Sequence, residues 1–276
     1  MKRFTLFIVF FVISGGFLHA QSVKMISFNI RYNGAANEDG QYAWVYRAPS
    51  VLQMIKQEQP DVMGVQEALL DQLSAIDRKF AGKYRRVGVG RDNGLTRGEH
   101  MAIYYNRESV ELLGYYTRWL SPHPMRVSMG WDAACMRTVT IAHFRQRATD
   151  KEFWYFNTHL DHVGKVARKE SIKLINKTVS SMVPSGTAVI VGGDMNQGME
   201  SPIFNPLYTS GFKMARLVAP ISDTKASFNA FGKMEPATID HFFVRDVTLE
   251  KFITLDDDYG IKYISDHYPI EIIFSL

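Results

Sequence analysis

Six short stretches carry side chains that could bind a hard cation or move a proton. They are Phe28-Asn29-Ile30-Arg31, Val65-Gln66-Glu67, Asn157-Thr158-His159-Leu160, Gly193-Asp194-Met195-Asn196, Ile239-Asp240-His241 and Ser265-Asp266-His267. The set is rich in carboxylates, carboxamides and imidazoles, and oxygen donors of this kind suit Mg²⁺ or Mn²⁺. The single cysteine, Cys135, excludes a disulfide framework, a Cys-based zinc site and a CxxC redox pair. Taken singly, each residue reads blandly: Glu67 as a solvated loop acid, Asp194 as a turn cap after Gly192-Gly193, His159 and His267 as satisfied structural histidines, and Asp240-His241 as a buried pair. Together they fall where apolar runs stop, and strand ends along one sheet edge are where a scaffold gathers distant residues. Asp194 and Asn196, two apart, would share a face in an extended segment. Adjacent Asp266 and His267 need a loop to enter one cleft.

The elements that must hold these residues alternate in type. Strands are expected at Met25–Ile30, Val62–Val65, Val139–Phe144, Phe153–His159, Ala188–Val191, Thr238–Val244 and Pro269–Phe274. Helical spacing marks Ser50–Gln57, closed by Pro60, then the run from Leu69 to Phe80, and a longer helix over Lys165–Met182. Met101–Tyr105 and Val110–Tyr116, around Asn106-Arg107, read as a β-hairpin. Strands outnumber helices, and hairpin signals mix with strand–helix alternation. That balance fits one α/β domain with two packed, largely mixed sheets better than an all-parallel doubly wound sheet.

The chain has 276 residues, of which 46% are hydrophobic and 22% charged, so it is neither disordered nor fibrous. Lys2 and Arg3 precede an uncharged stretch from Phe4 to Ala20, the pattern of a cleaved secretory leader rather than a stable membrane anchor. A leader over 1–20, one domain over 21–276, and export to the periplasm or medium are expected. Cleavage would remove two basic residues and no acid, so the net charge of +4 falls by two. That is too little to argue for nucleic acid by itself, and Arg85, Arg86, Arg91 and Arg97 read as a solvated face.

The six blocks, in this order, resemble the motifs of the endonuclease/exonuclease/phosphatase superfamily, the DNase I-like metal-dependent phosphoesterases, from about Lys24 to Leu276. The resemblance implies a two-sheet β-sandwich flanked by helices in four layers, α/β/β/α. It assigns Glu67 to the divalent metal, Mg²⁺ or Mn²⁺, with Asn29 and Asp266 assisting. It makes Asp194 the carboxylate that orients or deprotonates the attacking water, and Asn196 the amide that positions it and the phosphate. His267 would lie beside the scissile phosphate with Asp240 behind it. Glu99 would pair with His159, and Arg137 would reach substrate phosphate. Asn29 also borders the substrate. Arg31 stands where AP-endonuclease-type members carry a second acidic ligand, which weighs against a two-metal or DNA-repair enzyme. Met195 replaces a more usual aromatic or leucine, a packing change only.

The implied chemistry is hydrolysis of a phosphodiester or phosphomonoester by water attack, with charge stabilised on the phosphoryl oxygens. Nucleic acid, a lipid or inositol phosphate, and a sugar phosphate are all compatible substrates; the protein is expected to act as a monomer. The competing class is a non-catalytic phosphate- or nucleic-acid-binding module on the same fold. Trp131, Tyr104 and Phe231 are candidates to stack on a base or sugar, with ordinary packing the simpler reading. The loops Gly90–Gly98 and Ser121–Ala134 are expected to shape the pocket.

Overall fold

In the computed structural model, which describes residues 22–34 and 39–276, the strands form two six-stranded sheets. The first runs β11 (Thr248–Thr254), β12 (Ile270–Ser275), β1 (Ser22–Asn29), β2 (Val62–Gln66), β4 (Ile103–Asn106), β3 (Tyr84–Val87). The second runs β5 (Val110–Trp119), β6 (Thr138–Gln146), β7 (Glu152–His159), β8 (Ala188–Asp194), β10 (Asp240–Arg245), β9 (Lys213–Met214). Met25, Val62, Ile103, Phe144, Phe153, Phe242 and Phe274 fill the space between the sheets. Helices α1 (Trp44–Glu58) and α2 (Leu70–Phe80) cover the outer face of the first sheet through Val51, Met54, Leu73 and Ile76. Helix α3 (Lys165–Met182) covers the second through Ile172, Ile175 and Val179. The layers are therefore α/β/β/α, the DNase I-like arrangement. The expected leader lies outside the described residues, and no helix among those residues is long and apolar enough to cross a membrane.

Three local expectations are corrected. The segments expected as a hairpin around Asn106-Arg107 belong to different sheets, β4 pairing with β2 and β3 while β5 pairs with β6. The Asn106–Ser109 turn, closed by Asn106 Nδ2 donating to Ser109 Oγ at 2.9 Å, carries the chain across the sandwich instead of folding it back. Helix α1 begins at Trp44 and keeps Pro49 inside it. The carbonyl that Pro49 cannot serve belongs to Val45, which is exposed, so water can satisfy it. Strand β8 runs on through Gly192-Gly193 to Asp194, because Gly193 has φ 137° and lies so close to Thr158 that a Cβ would collide with its carbonyl. The strands without an apolar signature, β3, β9 and β11, are all sheet edges.

Topology brings the chemistry to one edge. β1 and β2 are parallel, as are β7 and β8, so Asn29, Gln66, His159 and Asp194 end together in pairs, Asn29 beside Gln66 and His159 beside Asp194. The antiparallel neighbours β4, β6, β10 and β12 begin at that same edge, which delivers the residues just before or at their starts. Beneath it, buried amides tie the sheets together. Gln66 Nε2 donates to Asn157 Oδ1 at 2.7 Å, and Asn157 Nδ2 donates to the carbonyls of Val65 and Ala102 at 3.0 and 2.9 Å. Arg47 of α1 is fully buried and donates to the carbonyls of Tyr42, Ile30, Arg31 and Ile264.

His241 on β10 is buried against Phe204 and Phe243. Its Nε2–H donates to the Gln197 carbonyl at 2.8 Å, and Nδ1 has no partner. Burial pushes its pKa down from 6.5 to about 4. An unfolded chain therefore takes up a proton near pH 6.5 that the folded chain refuses, so stability falls as the pH drops from about 6.5 toward 4. The His241 contribution to that fall is at most about 3 kcal/mol. Urea unfolding at pH 7 and pH 4.5 should show a larger loss in the wild type than in His241→Gln; equal losses would refute it.

Candidate active site

The site is built on buried carboxylates and amides at the common strand edge. Asn29 Nδ2 donates to Glu67 Oε1 and to Asp194 Oδ2, each at 3.0 Å. Glu67 Oε2 also accepts from the Tyr32 backbone N–H at 3.1 Å, and Glu67 itself has φ 61°, a left-handed conformation uncommon for a non-glycine residue. His267 Nδ1 lies 2.8 Å from Asp240 Oδ2, and its Nε2 lies 3.7 Å from Asp194 Oδ2. Asp266 and His267 do reach the cleft from a loop, pinned by Ser265 Oγ donating to the Asn29 carbonyl at 2.7 Å. Asp194 and Asn196 meet differently from the extended expectation. Asn196 turns with φ 48°, its backbone N–H donating to Asp194 Oδ1 at 2.9 Å and its side-chain amide reaching His159 Nε2 at 3.0 Å.

Charge in this cluster is set by burial and by neighbours. Burial, with the charge of Asp240, pushes Asp194 up to about 7, against the opposing pull of His267. For His267 burial works against the charge, but Asp240 and Asp194 overcome it and push it up to about 10, so it is an imidazolium at neutral pH. His159 goes the other way, held well below its usual value by burial and by Arg137. It is neutral, so its 3.3 Å approach to Asp194 is a contact of dipole and charge and not an ion pair.

Three groups of side chains could be asked to hold a cation. Asp194, Asp240 and His267 present ligand atoms within 4.8 Å of one another, but the imidazolium already fills that role there. Cys135, Asp161 and His162 also lie close, yet Asp161 accepts from the N–H groups of Ala134, Val163 and Gly164, and Arg137 donates to both Asp161 and His162. Glu67 and Asp266 fit best. Burial raises Asp266 and the charge of Glu67 raises it further, against the opposing pull of His267 and Arg31. Arg31 Nη1 is 3.8 Å from Asp266, while its Nε and Nη2 donate to Asp39. Oxygen donors of this kind fit a hard divalent cation. Asn29 could join them only with its amide turned over, since its nitrogen now faces Glu67 and its oxygen accepts from the Arg31 N–H at 3.0 Å.

The adjoining wall departs from expectation at Glu99. Glu99 accepts from Arg91 Nη1 at 2.6 Å, whereas His159 Nδ1 has no hydrogen-bond partner, so the expected Glu99–His159 pair is not formed. A guanidinium within reach outcompetes a neutral imidazole for that carboxylate. Burial, with Glu67, pushes Glu99 up to about 7. Arg137 is buried at the start of β6 and faces the cleft, as expected of a residue that reaches substrate. Arg91 does not belong to a solvated face: its side chain is 14% exposed and lines the same cleft.

The cleft has a volume of about 670 Å³ and collects Glu67, Glu99, Arg137, His159, Asp194, Asn196, Asp266 and His267 from distant segments. Asp240 sits behind His267, and Asn29 sits between Glu67 and Asp194. The aromatic residues bordering the space are Tyr32 and Phe228, the latter edge-on to His267 with ring centres 5.0 Å apart. Tyr104 is buried and bonded to Asp77, Phe231 stacks on Tyr42, and Trp131 lies outside the lining, so none of the three serves as a stacking surface there. Of the two loops expected to shape the pocket, the first supplies Arg91 and the second stops one residue before Cys135. Phe228 follows a bland stretch; its only sequence signal is an aromatic ahead of the Asp240 block.

Comparison with known proteins bears on this cleft. A model described as the Endonuclease/Exonuclease/phosphatase family matches residues 26–267. A crystal structure of an endonuclease/exonuclease/phosphatase from Bacteroides vulgatus superposes with a TM-score of 0.86 at 32% identity, covering 92% of this chain and 99% of that one. A mannosyl-6-phosphatase from Bacteroides thetaiotaomicron superposes with a TM-score of 0.85 at 29% identity, covering 92% and 100%. An uncharacterized protein of Acanthamoeba polyphaga mimivirus is 28% identical over 271 residues, 92% of this chain and 100% of that protein.

Proposed function

Because the chain belongs to the endonuclease/exonuclease/phosphatase family and is a phosphoric ester hydrolase, we propose that it hydrolyses its ester by in-line attack of water, with Mg²⁺ or Mn²⁺ held by Glu67 and Asp266. The observation that carries this reading is the Asn29 amide, bonded at 3.0 Å to both Glu67 and Asp194. It sets a metal-binding carboxylate and a proton-accepting carboxylate side by side. When bound, the cation supplies positive charge to the phosphoryl oxygens. Asp194 accepts the proton of the attacking water, and Asn196 holds Asp194 in place through its N–H. His267, kept charged by Asp240, donates through Nε2 to a phosphoryl oxygen. Neutral His159 and Arg137 complete the oxygen contacts.

A small phosphate ester is the favoured substrate class. The similarity to a mannosyl-6-phosphatase supports it, and the small net charge left after leader removal disfavours nucleic acid. Residues 1–20 are proposed to be a cleaved export leader and 21–276 a single domain acting as a monomer outside the cytoplasm, checked by N-terminal sequencing and gel filtration of the exported protein.

Purified protein should turn over nitrophenyl phosphate, bis-nitrophenyl phosphate or members of a sugar-phosphate panel with Mg²⁺ or Mn²⁺ and stop in EDTA. No turnover on any of these, or on plasmid DNA, would overturn the proposal and leave a non-catalytic binding module. Glu67→Gln should raise the metal concentration for half-maximal rate by at least about tenfold, measured by metal titration of the rate. An unchanged requirement would remove Glu67 from the metal set.

A further inference from the structure

The basic wall of the cleft holds donors that the protein itself leaves unspent. Arg91 gives Nη1 to Glu99 at 2.6 Å, and its Nε, buried, makes no hydrogen bond; its nearest acid oxygen, on Asp92, is 3.7 Å away. Arg137 gives Nε to Asp161 at 3.3 Å and Nη2 to His162 at 3.0 Å. Its Nη1 is also buried without a hydrogen bond, 4.0 Å from the Glu99 oxygen that Arg91 holds. Buried guanidinium N–H groups are costly to leave unmade, and here the two side chains that carry them line a space large enough for a ligand.

Arg91 is not free to turn away. Its backbone N–H donates to the Glu99 carbonyl at 3.1 Å, and its own carbonyl accepts from Trp119 Nε1 at 2.8 Å. The side chain is therefore anchored at its root by both neighbours and at its tip by Glu99. A guanidinium fixed in this way recognises an oxyanion better than a flexible ammonium does.

We propose that Arg91, with Arg137, forms the seat for the terminal oxygens of a phosphomonoester dianion and so selects monoesters over diesters. The proposal rests on the metal-dependent hydrolysis described above and names the substrate class for that same cleft. A monoester carries three non-bridging oxygens. The cation and His267 can serve two of them, and the third is left to the guanidinium groups of Arg91 and Arg137, whose Nε and Nη1 have no protein partner. In a diester that position holds a second ester oxygen and its carbon, which satisfies a charged donor poorly and collides with the wall.

The test uses Arg91→Lys, which keeps the positive charge that Glu99 needs and removes Nε. Three quantities are compared with the wild type in Mg²⁺: kcat/KM for nitrophenyl phosphate, kcat/KM for bis-nitrophenyl phosphate, and the dissociation constant of inorganic phosphate by calorimetry. Thermal midpoints check the fold. Monoester kcat/KM should fall about 10- to 100-fold, with diester kcat/KM falling much less, and phosphate should bind about tenfold or more weakly. Equal losses on the two esters, or unchanged phosphate affinity, would overturn the role of Arg91 and leave the hydrolase reading intact. If the wild type hydrolyses neither ester, the hydrolase reading fails by itself, and the phosphate titration still decides whether Arg91 binds the anion.

Discussion

Asp194→Asn should lower kcat by about 10²- to 10⁴-fold with little change in KM, the range for loss of a positioned general base. Asn keeps the volume and one acceptor oxygen, so the Asn196 N–H bond at 2.9 Å can persist while the proton acceptor is lost. The side chain is held from three directions, by Asn196, by Asn29 at 3.0 Å and by the approach of His159 at 3.3 Å. Burial and Asp240 already push Asp194 up to about 7, so it binds a proton more readily than an ordinary aspartate. Single-turnover rates with the fold checked by circular dichroism give the comparison; wild-type turnover in this variant would remove Asp194 from the proton transfer.

His267→Gln should cost about 10²- to 10³-fold in kcat, the usual loss when a charged or dipolar donor to developing oxyanion charge is removed. Glutamine can still fill the space beside Phe228, but it brings no charge to the phosphoryl group. It also leaves Asp194 and Asp240 without the imidazolium between them, so some stability is lost as well, and the thermal midpoint must be recorded alongside the rate. Asp240→Asn separates the two roles. Asp240 touches no substrate and acts by holding His267 at 2.8 Å, so its removal should cost less than the loss of His267. The double variant should be no slower than His267→Gln alone, the pattern of two residues working as one unit. Multiplicative losses would show that they act separately.

How much of this could be read from the chain depends on how local each cause is. The strand-end acids and amides were legible because apolar runs announce where β1, β2, β7 and β8 stop. Helix α3 was legible over about Lys165–Met182 because Ile172, Ile175 and Val179 recur at helical spacing, although Val166, read onto the same face, is exposed. Arg91 was not: it sits among Gly90, Asp92, Asn93 and Gly94, a composition that reads as solvent-facing loop, and it is buried only because Trp119 and Glu99 close on it. The partner of Glu99 was hidden for the same reason, since ordered motifs place residues near one another without saying which donor wins. The Asn106-Arg107 turn marks a change of direction, and whether the next strand returns to its own sheet or crosses to the other is decided by pairing with β6, more than 25 residues downstream.

Arg47 has a consequence for the arrival of the cation. Its guanidinium ties the carbonyls of Ile30 and Arg31, after β1, to that of Ile264, just ahead of Asp266. The two backbone segments that bring Asn29 and Asp266 to the metal end are thus sutured to one helix before any ion is present. Loading should freeze little additional chain and so incur little ordering entropy. Amide hydrogen exchange at Arg31, whose N–H donates to Asn29 Oδ1, and at Ala230, whose N–H donates to the Asp266 carbonyl, should stay slow whether or not Mg²⁺ is added.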